Sequence, residues 1–295
     1  MHQKKSSMAQ QSNLRTDYLT NGYVVVKSIF AKDYIANLRE KMIEMSHKNP
    51  DDYEFLLDED VQNILLNDKL INVIKQILDT NKLLYFGDSG VVNHKEPFKN
   101  RNGYHNDARG EDQNIPYEFE YPIIRVGIYF ENYKDFSGGL KIKKKSHKYF
   151  IFNFRRILAD TRRLMQIFFM RTRYKFSSLR LGKSVNLELE QGDVVIWNLR
   201  THHCGTSRRL KLFPKICLQP FLEKLLPTYF YLPTQYKENR CAIFSTFAKS
   251  DLKDRNILGY LNKKVNLKRF NQIKSNSNLL NYLNKLDCEL PKNFS

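Results

Sequence analysis

The chain has 295 residues, enough to bury a sizeable core as one large domain or two modest ones. It is strongly basic, with 49 Lys and Arg against 31 Asp and Glu, which favours contact with something anionic: nucleic acid, phospholipid, or a phosphorylated or acidic substrate. No segment reaches the roughly 18 consecutive apolar residues of a membrane span, which argues against a helical integral membrane protein.

Residues 1–15 are polar and basic with no apolar run behind them, so they are expected as a mobile tail and not as a secretory signal. Gly22-Tyr23-Val24-Val25-Val26 is β-branched and compact and predicts a short strand. Ala31 to Met45 then carries apolar residues at helical spacing. Residues 51–80 continue as helix, with Leu65, Leu66, Leu70, Ile71, Ile74 and Ile77 as the buried stripe. From about residue 83 the texture changes to short strands separated by loops. These are Leu83–Phe86, Val91–Asn93, Ile123–Phe130, Leu140–Lys143, Val185–Leu189, Val194–Trp197, Ile216–Gln219 and Cys241–Phe247. Such a succession points to a sandwich or barrel, mainly β with flanking helices (α+β), and not to a βαβ repeat. Two stretches interrupt it: residues 152–183, rich in Arg and apolar residues, and residues 206–239, of mixed basic, proline and aromatic character. Residues 261–295 are expected as a C-terminal helical tail. The four cysteines, Cys204, Cys217, Cys241 and Cys288, form no CxxC pair, which suits reduced thiols and a cytoplasmic location.

Two segments carry metal-binding residue types. In Gly103-Tyr104-His105-Asn106-Asp107, strand alternation turns His105 and Asp107 to one side and Asn106 to the other. An imidazole and a carboxylate so placed can occupy adjacent positions on one metal. In Gln191-Gly192-Asp193-Val194-Val195-Ile196-Trp197, a Gly-Asp turn feeds a buried strand, and His202 and His203 follow shortly after it. Two His and one carboxylate on a β scaffold make the facial triad of non-haem Fe(II) oxygenases, which leaves three metal positions open.

Further segments carry a likeness. Asn21 to Val26 leads into a helix. Ile124-Arg125-Val126-Gly127-Ile128-Tyr129-Phe130 is followed by Ser137-Gly138-Gly139-Leu140 and then Lys145-Ser146-His147. With the HxD and the distal His, these resemble, in order, the phytanoyl-CoA dioxygenase family of Fe(II)/2-oxoglutarate enzymes, over about residues 16–260. The resemblance implies a double-stranded β-helix (jelly roll, cupin-like) core in a single domain. It also implies Fe(II) with 2-oxoglutarate as cosubstrate. The family's RxxH pattern falls on Arg200 to His203, so His105, Asp107 and His203 are the implied metal ligands, with His202 as neighbour; His147 is implied to be structural. Because Asp107 fills the carboxylate position that related halogenases vacate, hydroxylation of an unactivated C–H bond is favoured over halogenation, with desaturation and ring closure left open.

The cosubstrate's far carboxylate calls for a basic anchor, and Arg suits it because its planar fork binds carboxylates in a bidentate way. The family's Arg follows the distal His by about a dozen residues, where this chain has only Arg208, Arg209 and Lys215. Arg240 opens the apolar run Cys241–Phe247 and is the expected anchor, with residues 206–239 inserted before it. A longer surface connection costs only about 0.6 kcal/mol per doubling of length. The expected substrate is a small molecule or a lipid- or sugar-linked metabolite. Residues 152–183 are a candidate for contact with an anionic membrane surface, peripherally. No nucleic-acid module accompanies the basic charge, and no obligate protein partner is evident. The competing readings are a non-catalytic cupin-like binding protein and a nucleic-acid-modifying oxygenase.

Overall fold

In the computed structural model, the residues described are 14–48, 55–87, 90–91, 104–108, 121–134, 136–151, 183–205, 208–218, 223, 225–233, 241–250 and 267–291. Residues 14–21 are helical (α1), and strand β1 (Tyr23–Val26) leads into helix α2 (Lys32–Lys48). Two helices follow, α3 (Glu59–Leu65) and α4 (Asp68–Leu78). Each is started by a side-chain cap: Asp58 accepts from the N–H groups of Asp60 and Val61, and Asn67 accepts from that of Lys69. Helix α4 stops where Asp79 turns into the left-handed region. The predicted stripe is buried in full, from Leu65 to Ile77, each such side chain contributing roughly 1.5–3 kcal/mol.

The helices cover a large sheet of order β1-β7-β4-β9-β2-β10, with β3 also paired to β9. Its further strands are β2 (Leu83–Tyr85), β3 (Gly90–Val91), β4 (Ile123–Tyr129), β7 (Val194–Asn198), β9 (Ala242–Lys249) and β10 (Cys288–Glu289). All pairings are antiparallel except β10 with β2. A second sheet of order β6-β5-β8 is made by β5 (Lys141–Lys143), β6 (Ser184–Asn186) and β8 (His203–Cys204).

Strand alternation sorts the side chains onto two faces. Ile124, Val126, Ile128, Val194, Ile196, Ile243 and Phe247 join the helices in the main core. Tyr129, Val195, Trp197 and Ala242 face inward and share a second core with Ile142 of the small sheet. The turn that feeds β7 needs a glycine: Gly192 has φ +86°, and a β-carbon there would lie 2.2 Å from the Phe30 carbonyl oxygen.

The C-terminal residues fold onto the main core. Helices α5 (Leu267–Ser275) and α6 (Ser277–Lys285) place Ile273, Leu279 and Leu283 in it, and β10 extends the large sheet. The predicted strand Ile216–Gln219 is not one over its described part. Ile216 is exposed, and its N–H closes a turn onto the Phe213 carbonyl. Residues 152–182 lie outside the described set. No helix among the described residues is long and apolar enough to cross a membrane.

Candidate metal centre

The structure brings His105, Asp107 and His203 together, with one ligand atom from each lying within 4.8 Å of the others. His105 and His203 form an isolated antiparallel bridge and exchange backbone hydrogen bonds of 3.0 and 2.8 Å. Directly opposed residues project to the same side, and the two imidazole centroids are 4.4 Å apart. The Asp107 backbone is held by its N–H on the Leu199 carbonyl at 2.9 Å. Its carboxylate reaches both rings, Oδ1 at 3.9 Å from His105 Nε2 and Oδ2 at 3.6 Å from His203 Nε2. Ligand atoms on one face of an ion with bonds of about 2.1 Å stand roughly 3.0–3.5 Å apart. The three side chains therefore fit a small divalent cation after a slight inward adjustment.

His203 is prepared for such a role by its other nitrogen. Nδ1 lies 3.0 Å from the Thr201 carbonyl, which can only accept, so Nδ1 is the donor there and Nε2 is the nitrogen turned toward Asp107. The ring is buried and rests 5.3 Å from Trp197. His202 is turned the other way. Its N–H donates to Ser146 Oγ at 2.8 Å, and its Nε2 is 3.4 Å from Asn106 Nδ2. The alternation expected for His105-Asn106-Asp107 is thus matched on the facing segment, Asn106 meeting His202 while His105 and Asp107 meet His203. His147 stands apart from the triad. Its Nε2 donates to the Leu19 carbonyl at 3.1 Å, and burial pushes its pKa down to about 4. Gly22 (φ +82°) lies so close that a β-carbon would sit 2.3 Å from His147 Nδ1, which supports a structural role for this ring.

Arg125 is a feature that the sequence reading passed over. It is the one half-buried residue of β4 and lies on the inner face, opposite Trp197 on β7 and Thr246 on β9. Its Nη1 donates to Thr246 Oγ1 at 2.8 Å, and its guanidinium stands 5.7 Å from the Phe244 ring centroid. Phe244 in turn packs edge-on to Trp197, the neighbour of His203. The signal in the sequence was an Arg on the inward parity of an otherwise apolar strand.

The other candidate anchors fare differently. Arg209 is buried but committed: Nη1 donates to the carbonyls of Tyr133 (2.5 Å) and Lys134, and Nη2 pairs with Glu188 at 3.0 Å. Arg208 lies over the Tyr231 ring, and Lys215 is exposed. Arg240 lies outside the described residues. Strand β9 enters the sheet just after it, at Ala242 opposite Tyr129. That is the end of β4 away from the triad, since Asp107 and Ala108 bond to Leu199 beside Ile123. Ala242 is about 13 Å along the strand from Thr246.

The inner face also fits an acceptor-bearing ligand. Trp197 Nε1 is buried without a hydrogen-bond partner among the described residues, a cost that a carboxylate or other acceptor would relieve.

The sequence matches no family model, and no curated protein matches it. Among solved structures, the chain is similar to the epimerase SnoN in complex with Fe3+, alpha ketoglutarate and nogalamycin RO. That likeness has 11% identity and a TM-score of 0.53, over 86% of this chain and 90% of that one. It is also similar to HygX from Streptomyces hygroscopicus with iron bound (12% identity, TM-score 0.53, 81% and 87% covered). AviO1 from Streptomyces viridochromogenes Tue57 matches at 14% identity and a TM-score of 0.52, with 83% and 97% covered. At such identities the likeness is one of overall fold: two sheets with flanking helices, as in non-haem alpha-ketoglutarate-dependent enzymes.

Proposed function

We propose that this chain is a non-haem Fe(II)- and 2-oxoglutarate-dependent dioxygenase on a double-stranded β-helix, akin to the phytanoyl-CoA dioxygenase family. The observation that carries the reading is the His105/Asp107/His203 cluster on the inner face, with His203 oriented by its Nδ1 bond to Thr201 so that Nε2 faces Asp107. The fold likeness to the epimerase SnoN, crystallised with Fe3+ and alpha ketoglutarate, and to HygX, crystallised with iron, supports it.

In this reading His105, Asp107 and His203 hold Fe(II) and leave three positions open. Arg125, oriented by Thr246, receives the far carboxylate of 2-oxoglutarate, and the Trp197 N–H offers a further donor. Arg240 is the rival anchor. When bound, iron and 2-oxoglutarate supply the dioxygen-dependent oxidation of an unactivated C–H bond, with 2-oxoglutarate decarboxylated to succinate. The inner-face aromatics Tyr129, Trp197 and Phe244 keep water from the floor of the site. The substrate we favour is a small molecule or a lipid- or sugar-linked metabolite, hydroxylated at carbon.

The test is anaerobic reconstitution of the purified protein. It should bind one Fe(II) per chain and, on admission of dioxygen, convert 2-oxoglutarate slowly to succinate without added substrate. A chain that binds Fe(II) no more tightly than its His105→Ala variant would refute the assignment. SnoN is an epimerase, so product analysis by mass is needed to distinguish hydroxylation from other outcomes.

A further inference from the structure

Six of the seven large hydrophobic side chains that are exposed among the described residues fall between residues 212 and 230. They are Leu212, Phe213, Ile216, Leu225, Tyr229 and Phe230, with Leu212 at 81% and Leu225 at 74% exposure. Exposed apolar side chains concentrated in one stretch of the chain mark an interaction site. The segment that carries it is firmly rooted. Its two ends pair through the bridge Leu210↔Tyr231, with Lys211 N–H on the Phe230 carbonyl at 2.9 Å and Leu232 N–H on the Arg209 carbonyl at 2.7 Å.

One charged group of the segment points inward: Glu223 pairs with Lys141, and both are buried against the outer face of the small sheet. The Tyr231 hydroxyl donates to the Glu223 carbonyl at 3.0 Å, Lys141 Nζ donates to the Leu218 carbonyl at 2.9 Å, and Arg209 is fully engaged. The apolar side chains point outward, so the segment is held by polar contacts and displays aliphatic and aromatic surface.

We propose that residues 211–218 and 225–230 form a docking surface for an anionic lipid bilayer. Exposed Lys211 and Lys215 stand among the apolar side chains, the mixture by which peripheral proteins combine apolar insertion with attraction to acidic headgroups. The chain's formal net charge of +18 favours that occupant and opposes a second copy, which would bring equal charge face to face. A nucleic acid would use stacking aromatics and a basic track, and has no use for Leu212, Ile216 and Leu225.

The full chain is tested by co-sedimentation with vesicles of phosphatidylcholine alone and of phosphatidylcholine mixed with phosphatidylglycerol. Binding to the mixed vesicles is expected, with weaker binding at higher salt. Combining Leu212→Asn, Phe213→Asn and Leu225→Asn should lower it at least about tenfold, and Lys211→Glu with Lys215→Glu should lower it on mixed vesicles. The denaturation midpoints of these variants should stay at the wild-type value, because the side chains are exposed. No binding to mixed vesicles, or undiminished binding by the apolar variant, overturns the proposal. A concentration-dependent dimer in light scattering that the apolar variant abolishes, without vesicle binding, assigns the patch to a second copy instead.

Discussion

Replacing Arg125 by Ala is the sharpest test of how the site would hold a cosubstrate. The guanidinium stands on the inner face, oriented by a 2.8 Å bond to Thr246 and lying near the Phe244 ring. Truncating one partner of a hydrogen-bonded charge pair costs about 2–5 kcal/mol. Arg125 is only half-buried, so solvent screening places the loss in the lower part of that range, about 2–3 kcal/mol. At 1.4 kcal/mol per decade this is roughly a 30- to 140-fold weaker affinity for 2-oxoglutarate. Arg125→Lys keeps the charge but loses the fork and should lie between the two, while Thr246→Val removes one orienting bond and should cost about 1 kcal/mol. Anaerobic calorimetric titration of the Fe(II)-loaded protein with 2-oxoglutarate measures all three. Fe(II) affinity should not change, which separates an anchor from a metal ligand. Wild-type 2-oxoglutarate affinity in Arg125→Ala, with a large loss in Arg240→Ala, would refute the reasoning and return the anchor to Arg240.

Three further outcomes are expected. Ala at His105, Asp107 or His203 should each abolish Fe(II)-dependent succinate formation, whereas His202→Ala should retain most of it, because that ring faces Asn106. Glu223→Ala leaves Lys141 buried and unpaired and should lower stability in urea by about 3–5 kcal/mol, and Lys141→Met added to it should restore most of the loss. His147 is held neutral, its folded pKa of about 4 lying below the unfolded 6.5. The unfolded chain therefore binds the extra proton first, and stability falls as pH drops from 6.5 toward 4. Between pH 7 and pH 5 the loss from this residue is about 2 kcal/mol, and it should be absent from the same comparison made with His147→Asn.

The helical half of the fold was legible because its signal is local. The stripe from Leu65 to Ile77 needs only a 3.6-residue period to declare itself, and all six predicted positions are buried. The longer strands were legible for the same reason, since Ile123–Tyr129 and Ala242–Lys249 have enough residues to show apolar texture. What failed is what has no local signal. Strands β8 and β10 are two residues each, defined by a partner strand and not by their own pattern. The strand expected at Ile216–Gln219 fails over its described part for the opposite reason: Ile216 is exposed, and no strand pairs with it among the described residues.

At the site, residue types pointed to the cluster of His105, Asp107 and a distal His, but the choice between His202 and His203 is a question of strand parity. His203 is the cross-strand partner of both Ile142 and His105. Ile142 belongs to the inner core, so a shift of one residue would send the imidazole out of it. The anchor is a matter of strand direction. A sequence places Arg240 at the opening of a strand, but only the pairing of Ala242 with Tyr129 tells which end of the sheet that opening occupies. Arg125, by contrast, sits two residues into a strand that begins beside Leu199, where Asp107 is tethered. An anion held by Arg125 would therefore share the inner face with Trp197, the residue whose ring touches His203. Position along the strand, and not the presence of an arginine, is what makes Arg125 the better candidate.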